Sequence, residues 1–301
     1  MGNAKKTDPH MCGGTEEGYY KKASSIIVSD DMVLFDVSSV LSEPRDTEDP
    51  RQKKTGYLAF FAVKAGDGTF VYKVTGSGTH PSKYDNCKIE WALTKEDAFP
   101  ALAALTRELE LSRDNGHYTF THGLPQDFGG LIDVKYADGE QIKISSNQNP
   151  VISREAAFEI ERLFDRLLRG EKADLPDPSD IVLIRFDEVK ENGALTHAEI
   201  SANSDGTCAI KRINRFSAQE VYESELTVSG EVLENIKKNA EKCGILAWSA
   251  LPKYELPWKE NKKLTFVFKD GKETAVYSDR ILPEYVRGEF FAAEIELTTK
   301  G

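Results

Sequence analysis

"KLTFVFKDGKETAVYS", Lys263–Ser278, is two alternating apolar runs joined by Asp270-Gly271. Alternation points successive side chains to opposite faces, so each run reads as a strand with one buried face. Asp-Gly between two such runs is a strong hairpin signal. It is read as a two-residue type I′ turn, which needs positive φ at both central positions. "LIDVKYADGEQIKIS", Leu131–Ser145, has the same form around Asp138-Gly139.

Working outward from Lys263–Ser278, the second half of the chain falls into an ordered series. "IVLIRFDEV" (181–189), "ALTHAEISAN" (194–203), "TCAIKRINRF" (207–216) and "EVYESELTV" (220–228) read as strands, with Asp205-Gly206 turning the middle pair. Ser229 then opens a helical stripe of Val232, Leu233, Ile236 and Ala240, which Gly244 ends. The hairpin at Asp270-Gly271 follows, and Pro283 starts a last helix with Val286, Phe290, Ala293 and Leu297 on one side.

The first half repeats this order. "MVLFDVSSVL", "GYLAFFAVKAG", "TFVYKVTG" and "CKIEWALT" are the strands, with Asp67-Gly68 as the turn. A helix with Ala98, Phe99, Leu102, Leu105 and Leu109 on its stripe follows, with Thr94 as its cap. The hairpin at Asp138-Gly139 and a helix from about Ser153 close the unit. The expected fold class is therefore α+β: two tandem, repeat-related units, each a mainly antiparallel sheet with two helices on one face. Residues 1–19 are read as a disordered or tag-like N-terminus, 20–170 as the first unit, 171–180 as a linker and 181–301 as the second unit. The polar stretch 42–56 reads as an insertion in the first unit.

The second unit resembles a class of uncharacterised bacterial proteins, often duplicated. In these a helix ends in Gly, a Trp follows, an apolar hairpin turns on Asp-Gly, and a Pro-started helix closes the unit. Here those positions are Gly244, Trp248, Asp270-Gly271 and Pro283, within 219–297. The resemblance implies an architecture and carries no activity.

Composition narrows the function. The chain has 301 residues, 40% hydrophobic and 30% charged, enough for two cores. Acids outnumber bases 50 to 39, for a formal charge of −11, which argues against a nucleic-acid partner. No apolar run is long enough for a transmembrane helix. As written, the N-terminus reads as that of a cytoplasmic protein. Cys12 followed by two glycines would instead suit an extracellular lipoprotein if a leader had preceded it. The cysteines, Cys12, Cys87, Cys208 and Cys243, form no C-x-x-C pair and are read as free thiols.

Tests for chemistry return little. "TGSGTH" (75–80) runs into a loop rather than a helix start, so it is not a phosphate cradle. His117, His122 and Asp127 are the one cluster that could serve a metal-dependent or acid–base hydrolase. The odd spacing of the two histidines places them on opposite faces of an extended segment. No catalytic residue, metal or other cofactor is expected. The aromatic residues of the two long connections, Tyr118 and Phe120 in one and Tyr254 and Trp258 in the other, are the candidate ligand-binding set. Trp248 is read as a core plug. Three functions remain: a non-enzymatic binding or interaction protein with a protein or carbohydrate partner, a hydrolase using His117, His122 and Asp127, and an accessory domain pair of a cell-envelope lipoprotein.

Overall fold

The structure is a computed structural model. It describes residues 15–20, 24–42, 55–66, 68–77, 87–124, 129–190, 192–217, 219–253, 261–278 and 280. Cys12, Asp67, Asp127, Tyr254, Trp258 and the expected helix from Pro283 lie outside the described residues.

Among the described residues the protein is mostly β, with 49% in strands and 22% helical. This overturns the expected α+β class with two helices per unit. Three α-helices stand beside fourteen strands among the described residues, so the strands dominate both units. The sequence reading also missed two strands. One is β1 (Thr15–Tyr19), inside the stretch 1–19, and the other is β6 (His117–Thr121), read as a loop.

The first sheet holds β1, β2 (Met32–Ser42), β3 (Thr55–Ala65), β4 (Gly68–Ser77), β5 (Cys87–Thr94), β6, β7 (Gly130–Tyr136) and β8 (Gln141–Ser146). Their order is β1-β6-β8-β7-β2-β3-β4-β5. The second sheet holds β9 (Ile181–Val189), β10 (Leu195–Ala202), β11 (Thr207–Arg215), β12 (Val221–Ser229), β13 (Asn261–Phe268) and β14 (Glu273–Tyr277). Its order is β12-β11-β10-β9-β13-β14. Read from its far end, this matches the first sheet from β8 to β5, strand for strand. Two compact units result: residues 1–62, 72–88 and 98–166 in one, 63–71, 89–97 and 167–301 in the other.

The hairpin turns differ from the two-residue loops expected. Gly139, Gly206 and Gly271 have positive φ, but the Asp before each does not. In each loop the Gly N–H closes a four-residue turn and a wider pair closes the strands: Gly206 N to Asn203 O at 3.3 Å, then Asn203 N to Thr207 O at 2.8 Å. This is a type I turn followed by a left-handed Gly bulge, a three-residue loop. The Asp carboxylate stabilises it by accepting the N–H two residues on, as Asp205 does from Thr207 at 3.0 Å.

Helix α1 (Phe99–Glu108) buries Phe99, Leu102, Ala103 and Thr106. Thr94 does not cap it; its hydroxyl accepts from Glu96 N at 3.0 Å, two residues along. In α2 (Arg154–Arg169) Ala156, Ile160, Phe164 and Leu167 are buried, and Phe164 meets Phe35 and Phe60. Ser153 caps this helix through the Ala156 N–H at 3.1 Å. Beside the apolar residues of α2, Glu161 and Asp165 both pair with Lys73, an almost fully buried lysine of β4. Helix α3 (Glu231–Cys243) buries Leu233, Ile236, Ala240 and Cys243, and Gly244 ends it in the left-handed region with φ +66°. Trp248 is fully buried in the 3-10 turn Ile245–Ala250 that follows. No helix among the described residues is long and apolar enough to cross a membrane.

Candidate functional site

Antiparallel pairing sets β1 beside β6, with Tyr19 opposite His117, Gly18 opposite Tyr118 and Glu16 opposite Phe120. Each histidine takes a carboxylate from β1: His117 Nε2 lies 2.8 Å from Glu17 and His122 Nε2 lies 3.1 Å from Glu16. Glu16 and Glu17 are neighbours on a strand, so they point to opposite faces and hold the two imidazoles apart. Among the described residues no three His, Cys, Asp or Glu side chains form a metal-holding group.

Tyr118 and Phe120 share one face of β6. Tyr20, which the sequence reading did not single out, joins them: its ring lies 5.2 Å from that of Tyr118, and its hydroxyl is 3.0 Å from Ser145 Oγ. Lys143 Nζ sits 4.9 Å above the Tyr20 ring. Tyr118 and Phe120 are only half-exposed, and these contacts tie the aromatic cluster to β8. The attachment is otherwise slight, since β6 and β8 pair in parallel over two positions. Two buried side chains supplement it. Asn115 donates to Ser24 O and Gln141 O and accepts from Lys143 N, at 2.7 to 2.8 Å. Asn147 donates to Thr121 O and Leu124 O and accepts from Thr121 N.

In the second unit Trp91 packs on the end of α3. Its Nε1 donates to Glu241 O at 2.8 Å, and its ring leaves no room for a Cβ on Gly244. A hollow of about 550 Å³ opens beside it, lined by Ile89, Leu168, Lys172, Leu175 and Glu241. Glu90 and Lys242 also line it, so two acidic and two basic side chains border an otherwise apolar wall.

The edge of the second sheet is different in kind. The hairpin of β11 and β12 is closed by Phe216 N to Glu220 O at 3.0 Å. Antiparallel ladders alternate bonded and non-bonded pairs. Continuing the register from that bond, Tyr222, Ser224, Leu226 and Val228 turn their backbone groups toward β11. Val221, Glu223, Glu225 and Thr227 turn theirs outward. No described residue bonds to these outward groups. Side chains are exposed on both faces from Val221 to Glu225, and Tyr222 is 62% exposed. At the hairpin's tip Phe216, 58% exposed, meets Tyr222 edge to face with centroids 6.0 Å apart. β5 holds the matching place in the first sheet, and there the chain covers the strand's end: Ala173 N bonds Leu93 O at 2.7 Å and Lys95 N bonds Glu171 O at 3.0 Å. The sequence reading identified β12 as a strand. Nothing local to it says that it is outermost.

The pKa shifts follow local contacts rather than a catalytic cluster. Hydrogen bonds from Thr207 hold Asp205 below the usual carboxylate range. Burial pushes the Cys208 thiol up. Burial likewise raises the Tyr136 hydroxyl to about 12. These groups lie on separate elements. The chain matches no protein-family model, and no curated protein matches its sequence.

Proposed function

We propose that the chain is a non-enzymatic binding protein built from an internally duplicated strand unit, and that its docking element is the outer edge of β12. The duplication is supported by the shared strand order of the two sheets and by the β7–β8 and β13–β14 hairpins, at matching places, both turning on Asp-Gly. The docking role is carried by one observation. β12 is nine residues long and paired on one side among the described residues, with an exposed aromatic pair at its start. Such an edge is a template for a further strand, through main-chain hydrogen bonds. A protein partner with an extended segment is the class it fits.

The test is amide chemical-shift titration with an extended seven-residue peptide alternating threonine and valine. Thr227→Pro removes one outward N–H and leaves the bonds to β11 in place, as proline on an outer strand edge does. The peptide shifts the β12 resonances of the native protein, and Thr227→Pro weakens its binding by about tenfold, the worth of one hydrogen bond. Equal binding to the two proteins refutes the proposal.

A further inference from the structure

The chemistry of the partner strand can be read from β12, and this inference rests on the docking role just proposed. Glu223 and Glu225 lie two residues apart on the same face of the strand. Both are exposed, and no ion pair among the described residues includes either. Across the ladder Glu225 faces Lys211 and Glu223 faces Ile213, both on the inner side. The outer side of this carboxylate pair is open. On the other face Tyr222, Ser224 and Leu226 offer an aromatic ring, a hydroxyl and a half-buried leucine.

Residues directly opposite across a strand pair interact, and like charges there are destabilising. That rules against a second copy of this chain in the registers centred on residues 223 to 225. Two β12 strands paired antiparallel about residue 224 would set Glu223 against Glu225 twice. Centred on 223 or 225, they would set a glutamate against itself. The overall charge of −11 adds repulsion at longer range. A strand with Lys or Arg at alternate positions reverses both effects. We infer that the β12 edge takes an extended protein segment with basic residues on one face, set against Glu223 and Glu225, and apolar or hydroxyl residues on the other, set against Tyr222 and Leu226.

Three seven-residue peptides test this by amide chemical-shift titration: lysine alternating with valine, threonine with valine, and glutamate with valine. The lysine peptide binds about two- to thirtyfold tighter than the threonine peptide, the range for two favourable cross-strand charge pairs. The glutamate peptide binds weakest. In a Glu223→Gln/Glu225→Gln variant the lysine advantage disappears, and it shrinks at high salt in the native protein. If lysine and threonine peptides bind alike and both weaken in Thr227→Pro, the charge inference fails and the docking role stands. If no peptide binds, or if the lysine peptide binds Thr227→Pro as well as it binds the native protein, the docking role fails as well. Self-association in sedimentation that Thr227→Pro abolishes would name a second copy as the occupant and overturn the basic partner.

Discussion

Replacing Gly244 by Ala tests how the second unit is held together. Gly244 has φ +66°, a region that costs an L-residue about 1–2 kcal/mol. A Cβ there would also lie 2.4 Å from Cδ2 of Trp91, so the indole must move. Movement forfeits the Trp91 Nε1 bond to Glu241 O, worth about 1 kcal/mol, with some ring packing besides. The expected cost is roughly 2–4 kcal/mol. Gly271→Ala is the control: its φ is +82°, but nothing lies within 4 Å of the added methyl. That change should cost only the backbone strain, about 1–2 kcal/mol. Urea unfolding followed by far-UV circular dichroism measures both, in the transition that Gly271→Ala shifts. Adding Trp91→Ala closes a double-mutant cycle. With the indole gone, Gly244→Ala should cost no more than Gly271→Ala, a coupling of about 1–2 kcal/mol. A Gly244→Ala cost unchanged by Trp91→Ala would refute the account of this contact.

Two further outcomes follow from the first unit and the turns. Asn115→Ala strands three backbone groups that the buried amide now serves, and should cost about 2–4 kcal/mol in chemical denaturation. It should also release β6 first, seen as early amide exchange at His117–Thr121. The second outcome concerns acid. Asp205 is held below the ordinary aspartate value, so the native state binds fewer protons than the unfolded one as the pH falls through that value. The stabilisation it provides is complete above about pH 3.9 and is lost as the pH falls through the lower native value. Asp205→Asn should therefore flatten the acid limb of stability measured against pH.

Some of this fold could be read locally. β5 and β9 have the bounds that their sequences mark, Cys87–Thr94 and Ile181–Val189, because alternation of residue type needs only adjacent residues to be seen. The turns at residues 138, 205 and 270 were found for the same reason. Their type was not, because Asp-Gly suits both the two-residue loop and the type I turn with a Gly bulge. β1 was missed because "TEEGY" has no apolar face. β6 was missed because its place depends on Asn115 and Asn147, side chains that act on distant backbone. Trp91 was legible as a strand residue, but its role depends on Glu241, 150 residues away. Of the candidate ligand-binding residues, Tyr118 and Phe120 come together on β6, while Tyr254 and Trp258 lie outside the described residues. The free edge of β12 follows from sheet order, which long-range pairing decides.

Amide hydrogen exchange along β12 tests the central claim most directly. In the free protein Tyr222, Ser224, Leu226 and Val228, bonded to β11, should exchange slowly, and Val221, Glu223, Glu225 and Thr227, turned outward, should exchange fast. Adding the lysine–valine peptide should slow the outward set and leave the inward set unchanged. Uniform protection along β12 in the free protein, or an outward set that the peptide does not slow, would contradict the account.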